Sequence, residues 1–228
     1  MSYPLIIKDD FFSNPDAIAK ESKKIHGLRE YDTFYNYPGV RTKPFNSLNP
    51  KLFAYIAQKI FQLLHDKTPD VYAMRVHSQK INPYIKDDKW DKKNRGWVHK
   101  DYCLFGGIIY LDKNPDKDCG TGIYKSKDGY DVIPEEILSC KELLYSGNLT
   151  DDRQYYQAYD MMINQYEETL RIPNVYNRLV LIPGNQFHAM TTIGDKERNT
   201  IAFFCTDAVG VYPPEYKETL ISIPNHEL

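Results

Sequence analysis

The sequence predicts a mainly β protein with flanking helices, built as a double-sheet jelly roll of the double-stranded β-helix, cupin-like kind. Three observations lead there. Short strand-like runs recur between residues 71 and 206, separated by Gly, Pro, Asn and Asp. Two helices with clear start signals precede them. A helical block then interrupts the series without any linker-like composition. The 228 residues suffice for one large domain with a sizeable core. The expected organisation is a single domain. An N-terminal strand and supporting helices fill 1–70, jelly-roll strands fill 71–125 and 174–206, and a helical insertion fills 126–173.

Taken in order, Leu5-Ile6-Ile7 reads as a first strand. Ser13 or Asn14 caps a helix whose first turn tolerates Pro15, and the helix stops near Gly27. Residues 30–49 are irregular and aromatic, with Tyr31, Phe34, Tyr35, Tyr37 and Phe45. They read either as a loop pinned by its rings or as a lid. Asn49-Pro50 opens a second helix, whose Leu52, Phe53, Ile56, Ile60, Leu63 and Leu64 share one face.

From Val71 onward the period becomes two. Arg75, His77 and Gln79 fall on one face, which is polar enough to look into a wet cavity. His77 has no carboxylate at ligand spacing and is assigned a structural role. Phe105 to Leu111 and Gly120 to Tyr124 follow as strands. Pro134 to Tyr145 and Asp151 to Leu170 read as helices packed over one edge or mouth of the sheet. The tyrosine stripe of the second is assigned to core contact. Tyr176 to Ile182, Phe187 to Ile193 and Arg198 to Thr206 resume the strands, and a proline-bearing tail wraps the surface.

Composition narrows the function classes. A net charge of −2 gives no basic excess for nucleic acid, and Asp87, Asp88 and Asp91 break the one basic run. No apolar run is long enough for a membrane span. The four cysteines lack Cys-x-x-Cys spacing, and Met1-Ser2-Tyr3-Pro4 has no signal pattern. A reducing, cytoplasmic setting is therefore expected.

Chemistry concentrates in Gly96-Trp97-Val98-His99-Lys100-Asp101. On a strand, His99 and Asp101 point the same way. His188, after the Pro183-Gly184 turn, is the candidate third ligand. Two histidines and a carboxylate on one side of a metal describe a non-haem Fe(II) oxygenase site. Arg198 lies ten positions after His188, across a turn at Gly194-Asp195. A hairpin would bring it into the same cavity, where a buried guanidinium requires an anion. Thr200 shares its face. The alternative is a surface pair of Arg198 with Glu197 or Asp195.

These pieces, together with Gly107-Ile108-Ile109-Tyr110-Leu111-Asp112 and Gly120-Thr121-Gly122, resemble the prolyl-4-hydroxylase-like branch of the 2-oxoglutarate- and Fe(II)-dependent dioxygenases over residues 71–206. The resemblance implies that His99, Asp101 and His188 hold Fe(II). It implies that Arg198 binds the distal carboxylate of 2-oxoglutarate, with Tyr110 and Thr200 adding hydroxyls. It further implies hydroxylation of an unactivated C–H of a peptidyl side chain or small molecule, with release of succinate and CO2 and with ascorbate as an optional reductant. Gly96 stands where the branch often has tyrosine, and the helical block is longer than usual, so prolyl specificity does not carry over. Asp101 separates the chain from halogenating relatives, which lack this carboxylate. A non-catalytic jelly-roll module keeping a metal such as Zn²⁺ is the alternative. A zinc hydrolase ranks last, since no His-Glu-x-x-His signature is present. Oligomeric state is left open.

Overall fold

Two asparagines start the helices that back the main sheet. Asn14 Oδ1 accepts the amide of Ala17 (3.2 Å), and Asn49 Oδ1 accepts that of Leu52 (3.1 Å). Pro15 and Pro50 occupy the first turns, where a missing N–H costs nothing. The computed structural model describes residues 3–32, 37–65, 67–85, 92–129 and 131–211. The element order is β1 (Ile6–Lys8), α1 (Pro15–Gly27), β2 (Gly39–Arg41), α2 (Phe45–Leu48), α3 (Pro50–Leu64), β3 (Val71–Ile81), β4 (Phe105–Tyr110) and β5 (Thr121–Ser126), then α4 (Glu135–Tyr145), α5 (Asp152–Gln165), β6 (Tyr166–Ile172), β7 (Leu179–Pro183), β8 (Phe187–Met190) and β9 (Arg198–Val209). The elements β2 and α2 lie in the stretch 30–49 that reads as irregular. Phe34, Tyr35 and the tail prolines fall outside the described residues.

All strand pairs are antiparallel. The larger sheet runs β1-β7-β4-β9-β3-β2 and the smaller runs β6-β5-β8. One face of the larger sheet meets α1 and α3. There Met74, Val76, Phe105, Ile109, Leu181, Ile201 and Phe203 close over Ile18, Ile25, Ile56, Ile60 and Phe61. The two-residue period sends the alternate side chains the other way. On that side Ile108, Tyr110, Val180 and Ile182 pack with Ile123 and Ile172 of the smaller sheet. The polar members of the same face are Arg41, His77, Gln79, Arg198 and Thr200, all buried except the half-buried Arg41.

One expectation needs correction. The helical reading of Asp151 to Leu170 stops short, because α5 ends at Gln165 and Tyr166 turns extended (φ −119°, ψ 143°). From there Tyr166–Ile172 pairs along β5. The block packs on β8, the last strand of the smaller sheet. Its Ile137, Cys140, Tyr155, Tyr159 and Met162 pack against Phe187, Ala189 and Trp97, on the side of β8 opposite His188. The tyrosine stripe is core contact, as its spacing implies. No helix among the described residues is long and apolar enough to cross a membrane.

Buried histidines tie this core to pH. His26 in α1 and His77 in β3 are 6% and 2% exposed, and burial lowers both pKa values from 6.5 to about 4. Their folded pKa lies below the unfolded one. The unfolded chain therefore takes up more protons as pH falls below 6.5, and stability is lost in that direction. Each is expected to cost roughly 2 kcal/mol between pH 7 and pH 5. Urea unfolding of the metal-free protein at the two values checks this; equal midpoints would contradict it.

Candidate metal centre and anion clamp

A pair of backbone hydrogen bonds brings the first and third candidate ligands together. The amide of His99 donates to the carbonyl of His188, and the amide of His188 donates back, both at 2.9 Å. Gly96 N also donates to Met190 O at 2.9 Å. The 96–99 segment thus runs beside β8 through an isolated bridge instead of forming the expected strand.

Both imidazoles are fixed by carbonyls close in sequence. His99 Nδ1 lies 2.8 Å from Trp97 O, and His188 Nδ1 lies 3.0 Å from Gln186 O. A carbonyl can only accept, so Nδ1 carries the proton and the Nε2 lone pair is free for a metal. Each Nε2 faces Asp101. The distances are 3.9 Å from His99 to Oδ1 and 3.5 Å from His188 to Oδ2. Donors bound to one ion at about 2.1 Å each can be no more than about 4.2 Å apart, so both pairs can share an ion. His99, Asp101 and His188 form a group whose ligand atoms lie within 4.8 Å of one another. The His99 ring is 29% exposed, yet burial is the main cause that puts its pKa well below the usual value. The ring is therefore neutral and able to ligate.

Asp101 reaches this position because residue 106 is glycine. A Cβ there would lie 3.1 Å from Asp101 Oδ2 and 3.2 Å from the Phe204 ring. Gly106→Val is expected to push the carboxylate aside and weaken metal binding by about 10–100-fold, the range for disturbed supporting contacts. Metal titration of the folded variant checks this.

Arg198, 5% exposed, sits deeper between the sheets. Its Nη1 donates to Cys119 O, and its Nη2 to Met190 Sδ and, at 3.4 Å, to Thr192 O. Its Nε has no partner. None of these acceptors carries a charge, and burial lowers the guanidinium pKa. Its surface-pair alternative fails, since the side chain is buried, Glu197 pairs with Lys80 at 2.9 Å, and no ion pair joins Arg198 to Asp195 among the described residues. Tyr110 and Thr200 are opposite one another on β4 and β9, beside Arg198. Tyr110 Oη is 2.7 Å from Thr121 Oγ1, and Thr200 Oγ1 is 3.4 Å from Gln79 O. The structure thus brings His99, Asp101 and His188 into one group of potential metal ligands and sets Tyr110 and Thr200 on the same sheet face as Arg198. It adds Thr121, to which the sequence reading gives no site role and whose Oγ1 meets Tyr110 Oη. His77 Nδ1 donates to Thr42 O at 2.8 Å, and His77 is absent from the group of potential metal ligands.

Solved structures share this fold at low identity. SnoN, an epimerase crystallised with Fe3+, alpha ketoglutarate and nogalamycin RO, superposes with a TM-score of 0.55 at 10% identity, over 98% of this chain and 87% of its own. HygX from Streptomyces hygroscopicus, with nickel, 2-oxoglutarate and hygromycin B bound, gives 0.52 at 10% identity, over 93% and 85%. A prolyl hydroxylase from Trichoplax adhaerens, in complex with a hypoxia inducible factor peptide fragment, gives 0.48 at 10% identity, over 89% and 83%. No curated protein matches the sequence. The profile described as "Family of unknown function (DUF6445)" matches residues 1–200. The chain belongs to that family, and its fold is the one shared by the 2-oxoglutarate/Fe(II)-dependent oxygenases.

Proposed function

We propose that this protein is an Fe(II)- and 2-oxoglutarate-dependent dioxygenase that hydroxylates an unactivated C–H of its substrate and releases succinate and CO2. One observation carries the reading. Three metal donors of the 2-His-1-carboxylate type lie together at β8, and Met190, two residues after His188 on the same strand face, touches a buried guanidinium that has no ion pair among the described residues. The donor set fits Fe(II), and the clamp fits a dicarboxylate reaching inward from the metal.

The strand order supports a double-stranded β-helix core. β3, β4, β7 and β9 belong to the larger sheet, and the His99 segment, β5, β6 and β8 to the smaller. The chain crosses repeatedly between the two. A single domain with the α4–α5 block as an insertion belongs to the same reading.

His99, Asp101 and His188 would hold the metal and leave its remaining positions open. When bound, iron and 2-oxoglutarate together supply activation of O2 and the oxidising power for the C–H bond. The chain's own work is different. Arg198 would pair with the distal carboxylate through its planar fork, and the hydroxyls of Tyr110 and Thr200 would add hydrogen bonds. Trp97 and Gln186 hold the two imidazoles in the ligating tautomer through their carbonyls. Ile108, Val180 and Ile182 dry the inner wall and keep water from the reacting side. The small molecules bound by SnoN and HygX support a small-molecule substrate alongside a peptidyl one.

The test is succinate formation from 2-oxoglutarate. Release should require both Fe(II) and O2, and a suitable substrate should accelerate it. The same three donors also suit zinc in a non-catalytic module. Zinc binding without any succinate under iron loading would favour that reading and overturn ours.

A further inference from the structure

Two cations on the metal side have no part in the clamp or the ligand set. Arg41 lies on β2, opposite Gln79 of β3. Its Nε and Nη2 both donate to Gln79 Oε1, at 3.1 and 2.7 Å. Its guanidinium carbon stacks 4.2 Å from the Tyr37 ring centroid and 5.1 Å from that of Phe204. Phe204 in turn borders Gly106, against which Asp101 rests. The stacked rings and the amide fix the guanidinium plane on the metal side. The edge of the fork away from Nε has no carboxylate among the described residues. Asp101 and Asp32 act on it only at longer range.

Lys141 approaches from a different element. It follows Cys140 on α4, one turn after Ile137, and both of those residues are buried in the core beneath the helix. Its ammonium interacts with Asp101, His99 and Arg41, yet no carboxylate among the described residues forms an ion pair with it. Other lysines nearby in the chain do have such partners: Lys92 with Asp160, Lys93 with Asp152, and Lys100 with Asp131. Burial presses the Lys141 pKa down to about 8 against the opposing pull of Asp101; Arg41 lowers it further and the neighbouring Glu142 raises it.

The charge balance shows what is missing. In the proposed reaction the charges of Fe(II), Asp101, the 2-oxoglutarate dianion and Arg198 cancel. Arg41 and Lys141, both half-buried and neither in an ion pair among the described residues, then add two positive charges on the metal side. Asp32 and Glu142 act on them only at longer range, so an anionic group of a substrate would find both cations available.

We propose that Arg41 and Lys141 form the substrate's anion-binding pair, and that the primary substrate carries a carboxylate which docks between β2 and α4 beside the metal. This rests on the dioxygenase reading above. The planar fork of Arg41 suits a carboxylate edge-on, with two parallel hydrogen bonds, and Lys141 adds a point charge from the other side. The helical insertion thereby acquires a role. It carries half of the specificity pocket, while Arg198 keeps 2-oxoglutarate at the opposite end.

The test is made anaerobically, on protein loaded with Fe(II) and saturating 2-oxoglutarate, so that Arg198 is already occupied. N-acetyl-L-glutamate, phenylacetate and 4-phenylbutyrate are each compared with the corresponding primary amide, by melting-temperature shift and by equilibrium dialysis. At least one acid should bind where its amide does not. Its Kd should rise at least about tenfold in Arg41→Gln and, independently, in Lys141→Met. The affinity for 2-oxoglutarate, read from the visible band of the chelate in the same samples, should stay within about twofold in both variants. Lys141 is on a half-exposed helix face, so Lys141→Met decides the matter if Arg41→Gln folds poorly. The proposal is overturned if no acid is preferred to its amide, if neither variant weakens acid binding, or if a phosphate monoester such as phenyl phosphate binds in preference to the acids. It is likewise overturned if Arg41→Gln loses 2-oxoglutarate and acid equally, which would place Arg41 in the co-substrate clamp. Failure of the underlying reading looks different: the wild type would show no chelate band before any acid is added.

Discussion

His188→Ala protein is expected to fold and to lose its metal. Two donors, His99 and Asp101, would remain. Disturbing a mere supporting partner of a ligand costs about 10–100-fold in affinity, so removing the ligand itself should cost more than about 100-fold. The fold should survive because the contacts joining β8 to the 96–99 segment are backbone bonds, from His99 N to His188 O and back. What the side chain contributes to the metal-free fold is local: one hydrogen bond to Gln186 O, worth about 1 kcal/mol, and contacts with the His99 ring and Asp101 inside the ligand group itself. Equilibrium dialysis against Fe(II), with the melting temperature of the metal-free protein alongside, separates the two effects. Wild-type metal content in the variant would remove His188 from the ligand set.

Arg198→Met should move two observables in opposite directions. In the metal-free protein the guanidinium is 5% exposed and meets only neutral acceptors, with Nε unpartnered. Replacing such a buried charge by a hydrophobe of similar length is often neutral or stabilising, by about 1–4 kcal/mol. The melting temperature should therefore hold or rise. Binding of 2-oxoglutarate should fall instead, because its distal carboxylate would be buried without a partner. The loss of one member of a buried charge pair costs about 2–5 kcal/mol, which is roughly 30-fold or more in Kd. Iron binding should barely change. A variant that loses stability and keeps 2-oxoglutarate affinity would make Arg198 a structural residue.

The opposite signs at Arg198 follow from what the sequence makes visible. His99 and Asp101 are legible because a two-residue spacing carries geometry by itself. Arg198 is legible because a turn between it and His188 implies a hairpin-like return. The polar face of Arg75, His77 and Gln79 suggests a wet cavity but is answered by protein partners instead: His77 bonds Thr42 O and Gln79 holds Arg41, while Arg75 is exposed. Other features depend on contacts distant in sequence. Arg41 looks like any loop arginine until β2 pairs with β3 and sets it against Gln79. Lys141 looks like a solvent-facing helix residue until α4 packs on Ile137 and Cys140. β6 is hidden for a local reason. Its interior residues from Glu167 to Arg171 are half-buried or exposed, so only Tyr166 and Ile172 mark a core-facing side. Tyr166 also continues the apolar spacing of α5, which lets a helical pattern run on past Gln165. The 96–99 segment reads as a strand, yet meets β8 only as an isolated bridge at His99 and a single bond from Gly96 N to Met190 O.

The measurement that bears most directly on the central claim is an anaerobic titration of the purified protein with Fe(II) and 2-oxoglutarate, followed in the visible range. The metal triad and the Arg198 clamp together predict a charge-transfer band that needs both additions. It should saturate at one equivalent of each and vanish in His188→Ala. No band in the wild type, or an undiminished band in His188→Ala, would contradict the account.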